Sequence, residues 1–136
     1  VKGGAIRYGQ SNLDVSDEMD LAGDKARYEA DRAKDIRLGG THGIDEVMGS
    51  HKLDAILFPA ANGAAIAAKP GYPTVIVPFG KVGNSPQDPF PKEFNALPRP
   101  FGVSFTGMAC SEGRLIELAY GFEQATRRRV VPPKVP

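Results

Sequence analysis

A single cysteine, Cys110, stands among 136 residues. It excludes an internal disulfide framework, and one thiol cannot by itself build a metal cluster. Charge of one sign is also missing: 17 basic residues against 16 acidic ones leave a net charge of +1. That balance gives no electrostatic reason to expect nucleic acid or an anionic membrane as partner. No apolar run approaches the roughly 20 residues that a bilayer span requires. The amino terminus, Val1-Lys2-Gly3-Gly4, lacks both the apolar core of a signal peptide and an initiator methionine. It reads as the inside of a longer reading frame. No residue fixes the compartment, and these absences favour a cytoplasmic one.

What is present is a globular composition, 41% hydrophobic and 24% charged, over a length that suits one domain, 1–136. Glycine (16) and proline (12) concentrate after residue 58. The first half is rich in Asp, Arg, Lys and Ala instead.

Val1 to Val15 has weak periodicity and reads as irregular with one turn of helix at most. Between Asp20 and Leu38 the residues Ala22, Ala26, Ala30, Ala33 and Arg37 recur at helical spacing. Acids and bases alternate on the other faces, as on a solvated surface helix. Gly39-Gly40 is expected to end it as a left-handed cap, and Thr41 to cap a short helix through Ile44, Val47 and Met48. Ala55-Ile56-Leu57-Phe58, closed by Pro59, predicts a short strand buried on both faces. Asn62 can begin a turn of helix as its N-cap. Gly71-Tyr72-Pro73 leads into a second strand, Thr74–Val77. Residues 79–100 hold almost no periodicity and read as a long surface loop. "FGVSFTG" predicts a third strand, with Val103 and Phe105 on one face and Ser104 and Thr106 on the other. Ser111 is expected to cap a final helix whose Leu115, Leu118, Ala119 and Phe122 form one stripe. Arg127-Arg128-Arg129 follow at its negative end, and "VVPPKVP" cannot continue it. This is an α/β pattern, and three short strands with so few helices read as part of a larger sheet.

A search for chemistry finds no complete set. Ser104, Thr106 and Ser111 lie in no Gly-x-Ser-x-Gly elbow and no Ser-x-x-Lys pattern. His42 and His51, nine residues apart, carry no zinc-ligand spacing and read as ordinary loop histidines. Cys110 precedes the last helix, where a dipole can lower a thiol pKa; a small buried residue is the plainer reading. Neither "GYPTVIVPFG" nor "AANGAA" has the glycine spacing of a phosphate-binding loop. Asp17, Glu18 and Asp20 cluster just before a helix, where acids are favoured electrostatically.

Larger motifs carry more. Leu53-Asp54-Ala55, Gly71-Tyr72-Pro73, Val77-Pro78, Phe101-Gly102, Phe105-Thr106-Gly107 and Ala119-Tyr120-Gly121-Phe122-Glu123-Gln124-Ala125-Thr126 occur in this order. The ordered set resembles the carboxy-terminal part of the amidase signature family, and "YGQSNL" with "DKARYEADRAKDIRLGGTHGIDEVM" resembles the segment just upstream. Pro70 departs from the alanine usual in that family, and residues 81–100 are longer than the short turn that many members have there.

The resemblance implies hydrolysis of a carboxamide to an acid and ammonia or an amine, through a serine nucleophile, a serine in a cis peptide and a lysine base. In the family all three belong to the amino-terminal part. No serine or lysine here matches them, so the resemblance assigns this chain no catalytic residue and implies a C-terminal segment inactive alone. It implies neither metal nor organic cofactor. The expected fold is an incomplete piece of a mixed β-sheet flanked by helices, whose partner is the N-terminal part of the same protein or a second copy. The loop after the first strand would approach a small amide substrate, and Asn62 and Gly63 match that position. The alternative for this pair is purely local, a cap and an eased turn. The alternative for the whole is a non-catalytic binding module derived from the same fold.

Overall fold

The computed structural model describes residues 11–83 and 98–129. The expectations for Tyr8-Gly9-Gln10, for the middle of the 79–100 segment, for Ser85 and for the "VVPPKVP" tail lie outside the described residues. Contacts divide the chain into two units, Val1–Ala33 and Lys34–Pro136.

In the first unit, helix α1 covers Ser11–Asp17, more regular than the sequence suggested. Asp20 then organises a turn. Its Oδ1 accepts from the N–H groups of Ala22 (3.1 Å) and Gly23 (3.0 Å), and its carbonyl accepts from Asp24 at 2.8 Å. An Asp whose side chain satisfies backbone donors two and three residues on is the usual lead into a helix. Helix α2 follows over Lys25–Asp35 and contains no buried residue. Arg27–Asp24 (2.8 Å) and Lys25–Glu29 (3.9 Å) pair along its surface, as the alternating charges predict.

In the second unit the diglycine does not stop the helix. Backbone at Asp35 is right-handed helical, and a ten-residue π-helix runs over Ile36–Asp45 into helix α3, Glu46–His51. Thr41 therefore lies inside a helix and caps nothing. The reason is tertiary. A Cβ on Gly39 would meet Pro70 Cδ at 3.1 Å, and one on Gly40 would meet Tyr72 Oη at 2.9 Å. The glycines are used for close approach to the 70–72 turn, and the wider π turn keeps the backbone helical there. The real stop comes at Lys52, left-handed at φ 53°, with Leu53 N–H donating to Met48 O at 2.9 Å.

Among the described residues three strands form an antiparallel sheet in the order β1-β3-β2, with β1 at Ile56–Pro59, β2 at Thr74–Val82 and β3 at Arg99–Thr106. The hairpin partners β2 and β3 reach further into the 79–100 segment than expected. An irregularity between Pro78 and Gly80 sets Phe79 out of register and lets the ladder continue past the proline. Helix α4 (Asn62–Ala68) and the π-helix–α3 run supply one layer, and helix α5 (Glu112–Thr126) the other.

Strand alternation separates two cores. Val77 and Phe105 point to α5 and pack with Leu115 and Ala119, flanked by Val75, Val103, Leu118 and Phe122. Phe105 and Phe122 meet edge to face at 5.5 Å. On the opposite face Ile44, Met48 and Ala67 pack with Ile56, Tyr72 and Met108. The final helix obeys its predicted stripe, but its cap differs: Ser111 Oγ donates to Met108 O at 2.7 Å and makes no capping bond.

The cover is partial, contrary to strands buried on both faces. Leu57 of β1 is 57% exposed and Ile76 of β2 is 48% exposed. Alpha-helix α5 lies over β2 and β3, and α4 mainly over β1 and β3, so each outer strand keeps one open apolar face.

Candidate functional site

The connection from β1 to α4 is held by β3 at several points. Ala60 holds a left-handed φ of 53°, a conformation that costs a residue with a Cβ roughly 1–2 kcal/mol. Both backbone polar groups of Ala60 are taken up by β3. Its N–H donates to Gly102 O at 2.8 Å, and its carbonyl accepts from Ser104 Oγ. Gly102 permits the approach of the strands, since a Cβ there would lie 2.9 Å from both Ile76 Cγ2 and Val77 O.

Asn62 and Gly63 follow at once, and the structure gives them different roles. Ala61, not Asn62, occupies the N-cap position, and Asn62 is the exposed first residue of α4. The capping alternative for Asn62 is therefore not what the fold uses. Gly63 is buried; a Cβ on it would lie 2.5 Å from Thr106 Oγ1 and 2.7 Å from Phe58 Cδ2. It is glycine because α4 sits directly on the sheet.

Behind this loop the sheet carries hydroxyls. Ser104 and Thr106 are both fully buried on the same face of β3. Thr106 Oγ1 pairs with Thr74 Oγ1 at 2.9 Å, so each buried hydroxyl has a partner, as burial requires. Beside them Tyr72 Oη donates to Asp45 Oδ2 at 2.7 Å. That bond to the carboxylate, with desolvation and the negative charge behind it, raises the Tyr72 pKa above its ordinary value. It also ties the π-helix to the turn that starts β2.

The remaining candidates disperse. His42 lies 3.6 Å from Glu46, and both histidines are exposed. Cys110 is exposed at φ 60°, one residue outside the cap of α5. No group of three or more His, Cys, Asp or Glu converges among the described residues. Ser104 and Ser111 donate to backbone carbonyls, and Thr106 pairs with another threonine.

A second feature lies on the other side of the sheet. A groove of about 220 Å³ runs between the outer strand β2 (Ile76, Val77, Pro78) and α5 (Ile116, Ala119, Tyr120). Glu123 and Arg129 also line it, paired at 2.6 Å. Sequence periodicity missed this groove, because Ile116 and Tyr120 lie off the buried stripe of α5. Their i, i+4 spacing was the available signal.

The chain is similar to proteins named as amidases. No protein-family model matches the chain. An Arabidopsis thaliana protein named as an amidase is 31% identical over 127 residues, 93% of this chain and 22% of the relative. A protein of Arthroderma benhamiae, also named as an amidase, is 36% identical over 98 residues, 71% of this chain and 17% of the relative. The chain thus spans about a fifth of the length of the curated relatives it matches. Among solved structures, native peptide amidase from Stenotrophomonas maltophilia superposes with a TM-score of 0.69 at 33% identity. The match covers 93% of this chain and 26% of that one. A peptide amidase in complex with the competitive inhibitor chymostatin gives 0.66 at 33% identity, over 90% and 25%.

Proposed function

Since the chain belongs to the amidase signature family, we propose that it is the C-terminal segment of a hydrolase that cleaves a small carboxamide to an acid and ammonia or an amine. The serine nucleophile, the cis-peptide serine and the lysine base would come from the N-terminal part of the same protein. The reaction would be attack of the activated serine on the amide carbonyl, departure of the amine, and hydrolysis of the acyl-enzyme. This segment contributes a wall of the substrate site through the β1–α4 loop, with Asn62 facing the substrate and Gly63 letting the loop lie close to the sheet. The observation that carries this reading is that loop: an exposed Asn62 held between a left-handed Ala60 and a sterically required Gly63.

The N-terminal part is the partner for which the β2–α5 groove is suited. Beside it on α5, Ile116 is 59% and Tyr120 64% exposed, an open apolar surface of the kind that marks an interface. Strand β2 also has an outer edge that a further strand can extend. Two of the similar solved structures are named as peptide amidases, so peptide amides are the substrates to try first.

The test compares ammonia release from peptide amides and simple carboxamides by the 136-residue chain and by a longer polypeptide that includes upstream sequence. Hydrolysis by the longer polypeptide only is the expected result. Hydrolysis by the 136-residue chain alone overturns the assignment of the nucleophile to the N-terminal part. A longer polypeptide that is folded and inactive on every amide favours the binding-module alternative.

A further inference from the structure

The central strand β3 spends a fully buried position on a serine whose neighbours across the sheet are Phe58 and Ile76. An apolar residue would suit that position, since burying a hydroxyl is unfavourable unless it is hydrogen-bonded. The hydroxyl of Ser104 goes to one place, the carbonyl of Ala60. The N–H of the same residue goes to Gly102 O, two positions earlier on β3. Residue 60 is thereby held through the two peptide groups that flank its Cα, in a left-handed conformation that is costly for an alanine. Three residues later Gly63 rests on Thr106, the next residue of β3 on the same face. Asn62 lies between these two fixed points.

We infer that Ser104 is a positioning residue for the substrate-facing loop, acting through Ala60 to set where Asn62 is presented, with Thr106 as the second support. The inference rests on the reading that Asn62 contacts substrate. Without the Ser104 hydroxyl, Ala60 loses the partner of its carbonyl and relaxes toward ordinary φ values. The chain then leaves β1 in another direction, and Asn62 moves. Small displacements of a substrate-positioning group reduce productive binding well before they unfold a protein.

The experiment uses the full-length amidase with a peptide amide substrate and measures KM, kcat and thermal midpoint for Ser104→Ala, Ser104→Cys and Asn62→Ala. Ser104→Ala is expected to raise KM about tenfold, an order of magnitude typical for a displaced binding group, with kcat within about twofold. Ser104→Cys keeps the shape with a weaker donor, and its KM should fall between the two. Asn62→Ala should raise KM by a similar factor. A purely structural role for Ser104 would lower the midpoint and the active fraction and leave KM alone. Wild-type KM in Ser104→Ala, with KM raised in Asn62→Ala, overturns the positioning role while the loop reading stands. Wild-type KM in Asn62→Ala overturns the loop reading, and the positioning role falls with it. If Ser104→Ala does not fold, Ser104→Cys decides: wild-type KM there overturns the inference.

Discussion

The two faces of β3 are built from different chemistry. Toward α5 it presents Val103 and Phe105, which join Val77, Leu115 and Ala119 in an apolar core. Toward α4 it presents Ser104 and Thr106, two fully buried hydroxyls bonded to a loop carbonyl and to Thr74. One face is held by area removed from water, which is forgiving of direction. The other adds to the apolar packing of Ile44, Met48 and Ala67 a set of hydrogen bonds and glycine contacts, which fix direction and tolerate little change. The candidate loop lies on the second face.

The comparison predicts where substitutions act. The largest loss of stability belongs to the apolar face. Leu115 is the largest fully buried side chain among the described residues, and Leu115→Ala should cost about 2–5 kcal/mol by lost transfer energy and cavity formation. Denaturant unfolding checks this, and a cost below about 1 kcal/mol would break the view of that face as the main core. Gly63→Ala comes next. A methyl 2.5 Å from Thr106 Oγ1 and 2.7 Å from Phe58 must push α4 off the sheet. About 1–3 kcal/mol is expected, with a loss of substrate affinity that Leu115→Ala in its folded fraction would not share. Thermal unfolding beside KM separates the two effects. Thr106→Val removes one hydroxyl of the pair with Thr74 and should cost about 1 kcal/mol, again read by thermal unfolding.

The same contrast explains what was legible in the sequence. The alternation Val103-Ser104-Phe105-Thr106 and the stripe Leu115, Leu118, Ala119, Phe122 were readable because side-chain direction has a fixed period in each element. The amidase motifs gave the family and drew attention to Asn62 and Gly63. What escaped were features made by contacts distant in sequence. Gly39-Gly40 looks like a terminator, and only the approach of Pro70 and Tyr72 turns it into the close-packed part of a π-helix. Ser111 looks like a cap, yet its hydroxyl closes the preceding turn onto Met108. Alanine at position 60 carries no mark of its positive φ, because β3 imposes it.

The smallest predicted effect concerns Tyr72, which joins the hydroxyl face to the π-helix. Its phenol donates to Asp45 at 2.7 Å, and its pKa is raised above the ordinary value of about 10. A raised folded-state pKa means that the folded protein holds this proton more tightly than the unfolded chain does. The contribution is therefore complete below about pH 10 and is lost as pH climbs through the raised value. Tyr72 is only half-buried, so solvent screening keeps the effect under about 1 kcal/mol. Tyr72→Phe keeps the ring packed with the Ile44, Met48 and Ala67 cluster and removes the bond. Near neutral pH it should be slightly less stable than the wild type, and the difference should close from about pH 10 upward. Thermal midpoints of both proteins across that range test it. A gap that stays constant through high pH would mean that the ring packs and the hydroxyl does not hold. The link between Asp45 and β2 would then be apolar, like the α5 face, and the contrast between the two faces would end at Thr74.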